Sequence, residues 1–119
     1  MSARAPKLDG AWNLHAATLE RDDTLRFFVI LSSASAWYGR IGQSTYGAAN
    51  AAASALARHR RAHGRPAVAL ALGPVAGGGM ATAVAWGGDT APMPVDAMLA
   101  ALDDALARPD GAPDRLVFD

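Results

Sequence analysis

The run Arg26-Phe27-Phe28-Val29-Ile30-Leu31, closing on Ser32-Ser33, decides the fold. It is short, aromatic and β-branched, without the polar–apolar alternation of a half-exposed strand. It therefore predicts a central parallel strand buried on both faces, not an amphipathic edge. Pro66-Ala-Val-Ala-Leu-Ala-Leu72 predicts a second buried strand, stopped by Gly73-Pro74. Between the two, an Ala-rich stretch from Tyr46 to His63 predicts a helix, with Ser44 or Thr45 as its cap and Gly64 at the C′ position.

Upstream, Leu8, Ala11, Trp12, His15 and Leu19 recur at spacings of three and four, which predicts a helix from Lys7 to about Glu20. Gly10 weakens it without forbidding it. Downstream, the Gly-rich segment from Val75 to Thr90 predicts a loop with one short helical piece around Met80 to Ala85. Pro94 to Arg108 is an amphipathic helix with Pro in its first turn. Asp110 to Pro113 turns the chain, and Arg115-Leu-Val-Phe118 is a last short strand.

Helices alternating with strands predict an α/β fold, a parallel sheet with helices on both faces. A complete doubly wound dinucleotide fold needs on the order of 150 residues or more. With 119 residues and about three strands, the expected architecture is a partial Rossmann-like three-layer sandwich, its C-terminal half. The first strand then lacks one neighbour, and an unpaired hydrophobic strand invites self-association or pairing with a complementing half.

Composition narrows the function. Eleven Lys+Arg balance eleven Asp+Glu, so the broad positive face of a nucleic-acid or anionic-membrane binder is not expected. Without Cys there is neither a disulfide framework nor a thiolate zinc module. No second His or carboxylate stands at metal-ligand spacing from His15. Scattered charges in the first twenty residues break any apolar signal core, so a cytoplasmic location is expected. The uncharged stretch from Pro66 to Gly88 is interrupted by Gly73-Pro74 and three consecutive glycines, and reads as a strand and a loop, not as a membrane span. Arg58, His59, Arg61 and His63 crowd the last turns of the Ala-rich helix, where cations oppose the negative end of its dipole. Trp12, Trp37 and Trp86 read as packing residues, since no basic stripe accompanies them. Against ten Arg the chain has a single Lys, Lys7.

In open α/β sheets, ligands bind beyond the carboxyl ends of the strands. Ser33 ends the first strand, Tyr46 starts the following helix, and Asn50 shares the helix face of Tyr46 four residues on. Lys7 lies one helix before the strand, within reach of the same rim. A hydroxyl, a phenol, an ammonium and an amide suit proton transfer to a carbonyl oxygen that receives a hydride. Phenols are weak acids, with an ordinary pKa of about 10, and a nearby ammonium favours the phenolate.

The segments KLDGAWNLH (7 to 15), FFVILSSASAWYGRIGQSTYGAANAAASALARHRR (27 to 61) and AVALALGPVAGGGMA (67 to 81) resemble the ketoreductase domain of modular polyketide synthases, a branch of the short-chain dehydrogenase/reductases. Tyr46-Gly-Ala-Ala-Asn50 is similar to that branch's pattern, with the Lys supplied earlier by a helix. The separation of thirteen between Ser33 and Tyr46 also fits. Leu72 departs from the Trp often found before Gly-Pro, the stretch from Leu19 to Leu25 is slightly longer than usual, and Tyr38 stands where some members have a Trp.

The resemblance implies one partial ketoreductase-like domain over residues 1–119. Residues 7–64 would carry the catalytic side chains, and 65–119 the last strands, lid loop and C-terminal helix. It implies Tyr46 as proton donor, Ser33 as carbonyl anchor, Lys7 as the phenol-tuning cation and Asn50 as its supporting amide. The implied cofactor is NADPH, bordered by Tyr46, Gly73, Pro74 and Val75, and Gly77, Gly78, Gly79 and Met80 fall in the substrate lid. The implied substrate is a β-ketoacyl chain on an acyl carrier protein. No G-x-G-x-x-G turn is present to cradle a pyrophosphate. Activity is therefore expected only with a complementing N-terminal half, and the rival expectation is a non-catalytic remnant or interaction module.

Overall fold

The computed structural model describes residues 5–21, 23–77 and 91–118. Three strands, β1 (Val29–Ser33), β2 (Val68–Leu72) and β3 (Asp114–Val117), form a parallel sheet in the order β1-β2-β3. A π-helical turn (Ala5–Asp9) leads into α1 (Gly10–Thr18), which closes in a 3-10 turn (Leu19–Arg21). The short α2 (Ser35–Tyr38) and the long α3 (Ser44–Ala62) follow β1, and α4 (Val95–Ala107) precedes β3.

Alternation along β2 explains the layers. Ala67 and Ala69 face α3 and pack with Ile30, Ala53, Leu56 and Ala57, while Val68 and Leu70 face α4 and pack with Ala105 and Leu102. Small residues on the α3 side let the Ala-rich helix approach closely, and larger ones fill the space beneath α4. Ala11 of α1 and Phe28 join the α3 side, so the expected three layers are present.

β2, not β1, is the central strand. The expected central position of the 26–31 run is corrected: β1 starts at Val29 and forms the edge of the described sheet. Its ladder to β2 begins at the Phe28 carbonyl, which accepts from Val68 N–H at 2.9 Å, and ends at Ala34 N–H, which donates to the Leu72 carbonyl at 2.8 Å. A parallel ladder engages alternate residues. The backbone groups of Val29, Leu31 and Ser33 therefore face outward, and among the described residues no strand pairs with them. Leu31 is 49% exposed despite its strand position.

α3 is not capped by Ser44 or Thr45; Gln43 is its N-cap, without a side-chain bond, and its carbonyl accepts from Gly47 N–H at 2.8 Å. Its other end follows expectation. Gly64 takes φ +72°, its N–H reaches the Arg61 carbonyl and Arg65 N–H the Arg60 carbonyl, both orphan carbonyls being met in a Schellman motif.

The basic residues near that end do more than oppose a dipole. Arg58 pairs with Asp114 of β3. Arg61 donates to the carbonyls of Pro109 (2.5 Å), Gly111 (3.1 Å) and Ala67 (3.4 Å), tying α3 to the turn before β3. Arg60 is fully buried, its guanidinium 4.0 Å over the Phe28 ring and 2.9 Å from Nδ1 of the buried His15. Among the described residues no helix is long and apolar enough to cross a membrane, and no three metal-ligating side chains converge. The helical piece expected around Met80 to Ala85 lies outside the described residues.

Candidate active site

Ser33 is the last residue of β1 and lies opposite Leu72, so the carboxyl ends of β1 and β2 place Ser33 beside Gly73-Pro74. Ser33 is buried, and its Oγ accepts from both the backbone N–H (3.2 Å) and the hydroxyl (2.9 Å) of Ser35. The preceding residue anchors the strand to α3: Ser32 Oγ donates to the Asn50 carbonyl at 3.2 Å and accepts from Ser54 Oγ at 2.8 Å.

Tyr46 stands in the first turn of α3, half-buried. The next residue, Gly47, explains why this turn reaches the rim. A Cβ there would lie 2.9 Å from the Ser35 carbonyl oxygen, so only a glycine lets the backbones of α2 and α3 touch at this point. Ser33 and Tyr46 thus belong to two segments clamped together through Ser35 and Gly47. Among the described residues, no hydrogen bond engages the Tyr46 hydroxyl.

Asn50, one turn on, is fully buried. Its Nδ2 donates to the Tyr46 carbonyl at 2.9 Å, and its Oδ1 has no partner among the described residues. Among the described residues, no hydrogen bond gathers Lys7 with this group. Its Nζ donates instead to the Leu31 carbonyl at 3.1 Å, on the open edge of β1. Lys7, Leu14, Phe27, Ile30 and Leu31 line an open groove of about 640 Å³ along that edge.

After β2, Gly73 and Pro74 are buried. Gly73 N–H donates to the Val117 carbonyl (2.9 Å), and a Cβ on Gly73 would lie 2.7 Å from Phe118, so this glycine serves packing against the last strand. Val75 pairs with Met93, and Gly77 turns the chain with φ +93°. Gly78, Gly79 and Met80 of the expected lid lie outside the described residues. Ser33 and Gly73-Pro74 thus share the carboxyl rim of the sheet, and the turn of α3 that carries Tyr46 is held against α2 directly after it. Dinucleotide phosphates find no cradle among the described residues, since β1 passes directly through Ala34 into α2 and β2 runs into Gly73-Pro74.

Sequence reasoning missed Ser35 and Gly47, although the Ser-x-Ser spacing of Ser33 and Ser35 was available as a signal.

The model of the KR domain family matches residues 1–77. The chain belongs to the KR domain family. Eighty residues are 56% identical to the spectinabilin polyketide synthase system protein NorB of Streptomyces orinoci, covering 66% of this chain and 4% of that protein. The highly reducing polyketide synthase fogA of Aspergillus ruber is 50% identical over 68 residues, 57% of this chain and 3% of that protein. Among solved structures, the first ketoreductase of the tylosin PKS superposes with a TM-score of 0.83 at 38% identity, over 98% of this chain and 26% of that one. This KR chain therefore spans a small part of the proteins it matches, and its three-stranded parallel sheet has the Rossmann-like fold of those ketoreductases.

Proposed function

We propose that this KR chain is the catalytic-residue half of an NADPH-dependent β-ketoacyl-thioester reductase of polyketide biosynthesis, completed by an N-terminal half that pairs with β1. The observation that supports the reading is the clamp of Ser35 on Gly47, which ties the end of β1 that carries Ser33 to the first turn of α3, where the Tyr46 phenol is unengaged among the described residues. The substrate is a β-ketoacyl chain carried on an acyl carrier protein, and the location is cytoplasmic.

Bound NADPH supplies a hydride to the β-carbonyl carbon. Ser33 holds the carbonyl oxygen by donating its hydroxyl proton in a hydrogen bond. Tyr46 transfers its phenolic proton to that oxygen, so the product is the β-hydroxyacyl thioester. Lys7 is the cation of the catalytic group, and Asn50, whose buried Oδ1 lacks a partner among the described residues, offers its ammonium an acceptor. Tyr46, Gly73, Pro74 and Val75 would border the nicotinamide. Residues 7–64 carry the catalytic side chains and 65–119 the last strands, lid and C-terminal helix.

A second reading, a non-catalytic remnant or interaction module, is favoured by the engagement of Lys7 with Leu31 in place of Asn50. One experiment separates the two. The chain is mixed with an upstream KR half, titrated with NADPH and given a small β-ketothioester. Oxidation of NADPH that is lost in Tyr46→Phe supports the enzyme. Absence of turnover in the assembled pair, with an intact covalently continuous KR domain as positive control, leaves the remnant.

A further inference from the structure

Serine hydroxyls have two acceptor positions and one proton. At Ser33 both acceptor positions are met by one residue, Ser35, through its N–H at 3.2 Å and its hydroxyl at 2.9 Å. We infer that Ser35 is a positioning residue, one that fills the acceptor side of Ser33 Oγ so that the Ser33 proton is directed outward, toward a substrate carbonyl oxygen. This rests on the reduction proposed above and adds to it the residue that fixes the polarity of the Ser33 hydroxyl.

Polarity matters because an isolated hydroxyl rotates to suit its strongest neighbour. A Ser33 hydroxyl that donated to a protein acceptor would present only a lone pair to the substrate, and a carbonyl oxygen needs a donor. With Ser35 donating twice, Ser33 is left as a donor before substrate arrives, and no reorientation is required at the moment of reaction. Ser35 is well placed to hold this arrangement. It is the first residue of α2, and its carbonyl oxygen lies against Gly47 of α3, so its backbone cannot drift without moving the turn that carries Tyr46. The same residue thus fixes the spacing of the two reacting side chains and the direction of one of them.

Ser35→Ala tests the role cleanly, because the Ser35 carbonyl and its contact with Gly47 persist when only the hydroxyl is removed. In the chain assembled with its upstream half, Ser35→Ala is expected to lower kcat about tenfold with KM for the β-ketothioester little changed, a smaller loss than the ~10²–10³-fold of deleting a direct donor. Ser35→Thr, which keeps both donors, restores kcat. A merely structural role would lower thermal stability in Ser35→Ala and would not separate kcat from KM. Unchanged turnover overturns the inference. So does increased turnover, which would mean that Ser33 donates to Ser35 and is released by the substitution.

A second arm needs no turnover and separates failure of this inference from failure of the proposed reduction. In the full chain by itself, Ser33→Ala removes the acceptor of the Ser35 N–H. Amide exchange at Ser35 is expected to accelerate several-fold while exchange at Leu70, in the central strand, stays constant. Exchange at Ser35 that is indifferent to Ser33→Ala overturns the inference whether or not the chain is an enzyme.

Discussion

Lys7 holds the backbone carbonyl of Leu31 through its ammonium, with 3.1 Å between Nζ and the oxygen. Leu31 belongs to the outward-facing residues of β1, so this is the carbonyl that a neighbouring strand would claim for its own N–H. An incoming strand and the Lys7 bond compete for one acceptor. Docking of that strand is expected to release the Lys7 ammonium from Leu31, and the Oδ1 of Asn50 is an acceptor without a partner among the described residues.

Lys7→Met separates the two situations. In the chain alone the bond is exposed, and its loss is expected to cost about 1 kcal/mol or less, read by urea unfolding. In the KR domain completed by its upstream half, the same substitution is expected to reduce NADPH-dependent turnover by about 10²-fold or more. Full activity of the completed Lys7→Met domain would remove Lys7 from the reaction.

Tyr46→Phe is expected to abolish turnover, by roughly 10²–10⁴-fold, while leaving the melting temperature within about 1 °C of the parent, because the phenol has no hydrogen-bond partner among the described residues to lose. Calorimetry and NADPH oxidation on the same preparation check both halves of this expectation. A large fall in stability would assign the phenol a structural role.

Gly47→Ala is expected to destabilise the chain by about 1–3 kcal/mol, because the added Cβ meets the Ser35 carbonyl oxygen at 2.9 Å and one of two backbones must yield. Since Tyr46 and Ser33 sit on those backbones, the substitution is also expected to lower kcat in the completed domain. Urea midpoints together with kinetics test it, and a neutral Gly47→Ala would show that α2 and α3 are not clamped here.

The sheet was legible because three apolar runs of strand length alternate with helical periodicity. Two features of it were not. The start of β1 depends on where β2 lies opposite, and no property of Arg26 to Phe28 encodes that. Its edge position depends on a strand that the 119 residues do not supply among those described. In the site, Ser33, Tyr46 and Asn50 stood out by residue type and spacing, with Ser33 and Tyr46 at a rim the strand order predicts. Ser35 did not, because a bond between residues two apart looks like an ordinary turn until the third participant, Gly47, is known to lie against its carbonyl. Arg60 was equally hidden: in a run of basic residues nothing local distinguishes the one that turns inward to Phe28 and to His15, forty-five positions earlier.

Arg61→Ala is expected to cost about 1–2 kcal/mol and to loosen the last strand first, since the guanidinium spans the carbonyls of Pro109 and Gly111. Arg61→Lys is expected to recover little, because one ammonium cannot reproduce a planar fork across several carbonyls. Hydrogen exchange at Leu116, compared with Leu70 in β2, reads the order of loss. Equal acceleration at both positions would mean that Arg61 supports the whole sheet.

The open edge of β1 gives the last expectation. Its outward backbone groups are those of Val29, Leu31 and Ser33, and exposed apolar side chains surround them: Phe27 at 46%, Leu31 at 49% and Leu14 at 61% exposure. Such an edge pairs with whatever strand is offered, so the chain alone is expected to associate with concentration, and an upstream KR half is expected to suppress that association by occupying the edge. Leu31→Lys places a charge on the exposed side of the strand without disturbing the β2 ladder, which uses its neighbours. Light scattering across a hundredfold range of concentration should then show a monomer, and titration with the upstream half should show weakened binding. Association that survives Leu31→Lys unchanged would place the sticky surface elsewhere than β1, and with it would fall the competition between a docking strand and Lys7 for the Leu31 carbonyl.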